Sequence, residues 1–337
     1  MNDNTPPIDW ADRAIGLGAG LAGALLFAAS LRGGSGLGVL FAYLAPLPLM
    51  IGALGFSAPG ALVGALLGAL LLAEIALPAV GLAFLFGFAL PALTVSALAS
   101  RNFARASDET PPFPRYLRPG ALLAVILLFS VAATCLGVLA LIDHHGGFDQ
   151  AVAALETQFA PLLDEVATRL RAMDGELDAG EIKRLMILSA PAGATAWEIL
   201  LFALNFWLAA RAVDISGRLG RPWPPIPESL VLPRLLAPAF VISLGLAASG
   251  GVPGLMAGAF AAGTGFCFAL QGLAALHAFS RERAWRAPML TSIYAALFGV
   301  WPWSLFVLTA FGLVESVFSL RARRARRLFV KLEKTQE

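Results

Sequence analysis

Apolar residues in this chain gather in long runs, and polar residues gather between them. The runs cover residues 14–30, 36–56, 58–77, 81–99, 120–142, 186–212, 232–249, 252–279 and 288–320. Most approach the roughly 20 residues that an α-helix needs to cross a bilayer. The pattern predicts an all-α protein, a polytopic transmembrane helix bundle of about 8–10 spans. The last run is too long for one comfortable helix, and Gly299-Val300-Trp301-Pro302-Trp303 interrupts it. It is expected either to cross twice or to dip in and return.

The substantial polar segment, residues 143–185, has a different period. Val152, Leu155, Phe159, Leu162, Val166, Leu170 and Met173 recur at steps of three and four, one stripe of an amphipathic helix that Pro161 can kink. Asp178 with Glu181 three residues on reads as a capping box opening a short helix into the next span. The chain therefore divides into membrane helices over 1–142, an acidic extracytoplasmic helical insertion over 143–185, membrane helices over 186–320 and a basic tail over 321–337.

Two features stand out within the runs. Pro46 and Pro48 form a Pro-x-Pro inside the second run, which predicts a broken helix. Gly60, Gly64 and Gly68 follow at four-residue spacing, and Gly16, Gly20 and Ala24 repeat that spacing in the first run. Small residues so spaced let helix backbones approach in lipid, where packing replaces the hydrophobic drive. These six are the expected helix-packing residues.

Composition agrees with a membrane protein: 58% hydrophobic and 14% charged residues, against about half and a quarter in soluble domains. The net charge of +2 excludes an electrostatic case for nucleic acid. Cys135 and Cys267 lie inside apolar runs and have no disulfide or zinc spacing. Before the first run stand Asp3, Asp9 and Asp12 but one cation, Arg13, which argues against a cleaved signal peptide. Arginines cluster at 101–118, 211–234, 281–286 and in the tail. The positive-inside bias then places both termini in the cytoplasm, with 143–185 outside; Arg32 dissents.

Strongly polar side chains inside spans are expensive and mark candidate sites. Glu198 and Asn205, seven residues apart, share a face of the sixth run. A carboxylate there can bind a cation, take up a proton or hold an amine, or simply bond a neighbouring helix. Gln271, Tyr43, Pro46 and Pro48 are the other expected cavity-lining residues, with interhelical bonding the competing role for Gln271. His144 and His145 are adjacent, and no further ligand at suitable spacing makes them a metal site. No cofactor, metalloprotease motif, nucleophile elbow or P-loop is recognisable, so the chain is not expected to be an enzyme.

Several short motifs occur in a fixed order: Ala45-Pro46-Leu47-Pro48, then Asn205-Phe206-Trp207-Leu208-Ala209-Ala210-Arg211, Gly217-Arg218-Leu219-Gly220-Arg221-Pro222-Trp223-Pro224, Leu270-Gln271-Gly272-Leu273, and Trp301-Pro302-Trp303. Together they resemble the YybS-like family of bacterial multi-pass membrane proteins. That family is distantly similar to the substrate-binding S components of energy-coupling-factor vitamin transporters, from which this chain differs in its length and its acidic insertion. The resemblance implies a bacterial inner-membrane location. It also implies a membrane partner subunit docked on Gly16, Gly20 and Ala24, while the polar residues within the spans carry the leading expectation, a protein that binds or transports a small molecule through a polar cavity in the bundle. The rival expectation is a scaffold or regulatory protein that docks partners through its glycine faces, the acidic helix or the basic tail.

Overall fold

The computed structural model describes residues 9–31, 36–103, 116–173, 178–281, 283–324 and 326. The cations Arg32, Arg105 and Arg115 and the tail beyond Arg326 lie outside them. The described residues form helices and no strand. In chain order these are α1 (Trp10–Leu31), α2 (Gly36–Leu44), α3 (Pro46–Gly55), α4 (Ala58–Ile75), α5 (Pro78–Phe84), α6 (Leu90–Ser100), α7 (Pro119–His144), α8 (Phe148–Gln158), α9 (Ala160–Met173), α10 (Ala179–Ile215), α11 (Ile226–Ser229), α12 (Leu236–Ala247), α13 (Gly251–Ser280), α14 (Arg286–Gly299) and α15 (Trp303–Phe318). A π-helical turn, Leu85–Ala89, joins α5 to α6.

Seven helical stretches are long and apolar enough to cross a membrane, counting α2 with α3 and α5 with α6 as single passes. The chain is a multi-pass membrane protein. Against the eight to ten spans expected, α12, α14 and α15 have only 12, 14 and 16 residues. At 1.5 Å per residue they reach about 18 to 24 Å, short of a hydrocarbon core of about 30 Å. The Trp-Pro-Trp break falls where expected, between α14 and α15, and its Trp301–Pro302 peptide is cis.

Prolines account for the other interruptions. Pro46 and Pro48 cannot donate to the carbonyls of Ala42 and Leu44, and the helix breaks at Ala45, whose N–H turns to Ala42 O at 3.2 Å. Pro91 likewise leaves Gly87 without its usual donor, and the Leu90 N–H reaches back five residues to Leu85 O. Pro191 is tolerated inside α10, where Thr195 Oγ1 donates to its carbonyl at 2.9 Å. The short helix expected before the sixth span is therefore one with it. Asp178 caps the start, accepting from Glu181 N at 2.9 Å, and α10 runs on for 37 residues.

The described chain divides into two compact units. This is a different division from the one by chain order. One unit holds α1 to α6, α7 up to Phe129, and Leu200–Pro224; the other holds Ser130–Ile199 and the residues from Pro225 onward.

The first unit is built on the crossing of α1 and α4. A Cβ placed on Gly16 would lie 2.6 Å from Ser57 O, and one on Gly60 2.6 Å from Arg13 O; one on Gly64 would strike Leu17 O, and one on Gly68 the Ala24 methyl. The two small-residue stripes thus face each other. This corrects the expectation that Gly16, Gly20 and Ala24 present a docking face for a partner: α4 covers them. Two arginines of the Gly-Arg-Leu-Gly-Arg motif then latch the unit. Arg218 pairs with Asp12 at 3.0 Å and lies over the Phe56 ring, 4.5 Å from its centre. Arg221 is buried and donates to Ala99 O at 2.9 Å and Leu117 O at 3.2 Å, stopping the last turn of α6. Burial pushes its pKa down and neighbouring Tyr116 opposes this, but guanidinium stays charged.

The second unit repeats the glycine device with α13 and α15. A Cβ on Gly312 would collide with Phe268 O, and one on Gly272 with Leu308 O. Thr309 Oγ1 donates across the crossing to Gly265 O at 3.0 Å. At one end, Arg321 binds the buried carboxylate of Glu315 at 2.8 Å, Pro227 O at 2.6 Å and Leu230 O at 2.8 Å.

Candidate functional site

The sequence-nominated polar residues fall in different units. Tyr43, Pro46, Pro48 and Asn205 belong to the first; Glu198 and Gln271 belong to the second.

Asn205 is almost fully buried and splints the broken helix. Its Nδ2 donates to Tyr43 O and to Leu201 O, both at 2.8 Å. Tyr43 O lies between Ala42 O and Leu44 O, the carbonyls whose usual donors Pro46 and Pro48 lack, so Asn205 fastens a neighbouring helix beside the break. Pro46 is buried and Tyr43 and Pro48 are half-buried.

Gln271 is fully buried, and both ends of its amide are engaged. Its Oε1 accepts from Leu232 N at 2.7 Å and its Nε2 donates to Gly312 O at 3.0 Å. Its amide is used for the competing interhelical role, holding α13, α15 and the start of the 232–235 segment together. Glu198 is half-buried and has no hydrogen-bond or ion-pair partner among the described residues. His144 and His145 pack edge to face.

The second unit holds a cavity that none of the nominated residues lines, and its walls are apolar. It has a volume of about 320 Å³, near the low end of the roughly 300–1,000 Å³ of small-molecule pockets. Thr134, Gly137, Val138 and Leu141 of α7 form one wall, and Ile187, Pro191 and Ala194 of α10 another. Phe148, Val152 and Leu155 of α8 close the top, and Leu255 of α13 adds to the lining. Between the walls, Thr195 Oγ1 and Thr134 Oγ1 are bonded at 2.9 Å.

The local sequence explains this construction. The helix expected over 152–173 breaks between Gln158 and Ala160, beside Pro161, and its single predicted stripe parts into two faces. Val152 and Leu163 turn inward against Ile187, with Phe148 and Leu155 beside them. Phe159, Leu162 and Leu170 remain exposed. α8 thus becomes a cap on α7 and α10. The lining residues Gly137 and Ala194 are exposed, so the cavity is open at the side. Gly137 lies seven residues before the end of α7, about 10 Å along a helix that is long and apolar enough to cross a membrane.

These lining residues carried no sequence signal of a site. They are apolar side chains at helical spacing, indistinguishable from a packed core until the break in 152–173 is known. No protein-family model, curated protein or solved structure matches this chain.

Proposed function

We propose that this membrane protein binds an apolar small molecule or a single lipid chain in the cavity under α8, entering sideways from the bilayer. The observation that carries the reading is the open-sided, almost wholly apolar cavity walled by helices long and apolar enough to cross a membrane. An apolar ligand gains burial there without leaving polar groups unpaired. The role is binding, as a carrier or the receiving part of a transport system, and not catalysis. In the orientation given by the arginine clusters, the cavity lies toward the extracytoplasmic face of a bacterial inner membrane. The glycine faces no longer favour the scaffold alternative, because each meets another helix of the same chain.

Gly137 provides the test, because a Cβ built there meets nothing within 4 Å. Gly137→Leu fills the cavity without a backbone clash and improves helix propensity by about 1 kcal/mol. Native mass spectrometry of the protein extracted from membranes is expected to find an apolar molecule on the wild type and none on Gly137→Leu. Equal loading of both proteins would remove the cavity as the site.

A further inference from the structure

The two cavity walls continue past the cavity into a polar pair. On α10, Ile187, Pro191 and Ala194 share one face, and Glu198 is the next residue on it at four-residue spacing. On α7, Leu141, Val138 and Thr134 form the facing stripe, and Ser130 is its next member. The helices run antiparallel: Leu141 and Ile187 line one end of the cavity, and Thr134 meets Thr195 at the other. In that register Ser130 falls opposite the Glu198–Ile199 level, one turn, about 5.4 Å, beyond the threonine pair.

Both groups lack something. Ser130 is 1% exposed, and its Oγ has no hydrogen-bond partner among the described residues. Ser96, Ser304 and Ser316 also lack a partner among the described residues, but Ser100, Ser189, Ser243 and Ser292 each satisfy themselves on a carbonyl three or four residues back. Ser130 does not. Among the described residues Glu198 has no counter-charge. α7, α12 and α13 contain no lysine or arginine, and the nearest on α10, Arg184 and Arg211, are 14 and 13 residues away, about 20 Å along the helix. A carboxyl inside a span is costly unless a partner meets it. A metal ion would need several oxygen ligands, and one carboxylate does not supply them. An apolar chamber with a carboxylate and an unused hydroxyl about one helical turn past its threonine end suits a ligand with a hydrocarbon body and a hydrogen-bonding cation at one end.

We propose that the cavity selects single-chain amphiphiles with an amine head, the ammonium meeting the Glu198 carboxylate and the Ser130 hydroxyl beyond the threonine pair. This inference rests on the cavity reading above, and the experiment separates the two.

The full chain in phosphatidylcholine nanodiscs is dialysed to equilibrium against radiolabelled decylamine or decanol at neutral pH, with empty nanodiscs subtracted. A charge-assisted bond in place of a neutral one is expected to make decylamine bind about tenfold more tightly than decanol. Glu198→Gln should remove that preference and leave decanol within about twofold, which also shows that the variant is folded; Ser130→Ala should weaken decylamine by about threefold. Equal affinities in the wild type, or an unchanged preference in Glu198→Gln, overturns the amine inference. If Gly137→Leu still removes binding of both ligands, the cavity reading survives that result. If neither ligand binds the wild type, or Gly137→Leu binds both as the wild type does, the cavity reading falls and the amine inference falls with it.

Discussion

Asn205 and Gln271 are both buried amides, and their bonding predicts different sensitivities. Each bridges separate parts of its own unit, Asn205 to Tyr43 O and Gln271 to Leu232 N and Gly312 O. Gln271 is satisfied at both ends, whereas Asn205 Oδ1 has no partner among the described residues. Gln271→Leu strands a buried donor and an acceptor and is expected to cost about 2 kcal/mol. Asn205→Leu also relieves an unpaired oxygen and should cost less, about 1 kcal/mol. Thermal unfolding in detergent measures both, and an equal or reversed order would refute this account. The sequence flagged both residues as polar groups within spans. It could not separate a bonded amide from a cavity wall, because that depends on which carbonyls a neighbouring helix presents. For Asn205 a cue was nonetheless present in the sequence: Pro46 and Pro48 break the helix beside the Tyr43 carbonyl that it holds.

Among the helices, those whose shape follows from local chemistry were legible and those whose shape follows from packing were not. The Pro-x-Pro break, the Trp-Pro-Trp break and the Asp178 cap all stand where their residues put them. The two faces of 152–173 were hidden, since one stripe at three- and four-residue steps looks the same whether or not a turn at Phe159 rotates its second half. The glycine stripes were visible as packing devices, but their mates were not. Their mates now give a sharp prediction. Gly64→Ala and Gly312→Ala each drive a methyl into a backbone carbonyl, of Leu17 and Phe268 respectively. Neither carbonyl can move aside as a side chain would, so each substitution should cost about 1–3 kcal/mol. Gly18→Ala, on the same helix as Gly16 and Gly20, meets nothing within 4 Å and should be neutral or mildly stabilising. The difference is read as the shift in unfolding temperature between the two classes of variant.

At the scale of the molecule, arginines outside the spans hold segments that the bilayer cannot. Arg218 and Arg221 tie the 216–224 connection to its unit, and Arg321 ties the Pro227–Leu230 stretch to the end of α15 in the other. Arg321→Ala leaves Glu315 buried without its cation and is expected to cost about 3 kcal/mol. Arg321→Lys should recover little, because a single ammonium cannot reproduce the guanidinium fork across three acceptors. Limited proteolysis within residues 226–233 would report the release. The arginine-rich connections were read from the sequence as markers of sidedness, which is a property of their number; their role as latches depends on which carbonyl each one reaches. Both units also share a vulnerability at the level of heredity. Their central crossings are made where two glycine backbones leave no room for a side chain, and no single base change in a glycine codon encodes anything smaller. A lesion at Gly64 or Gly312 therefore has no same-site remedy except reversion. Recovery must come from a neighbouring helix that learns to stand farther away.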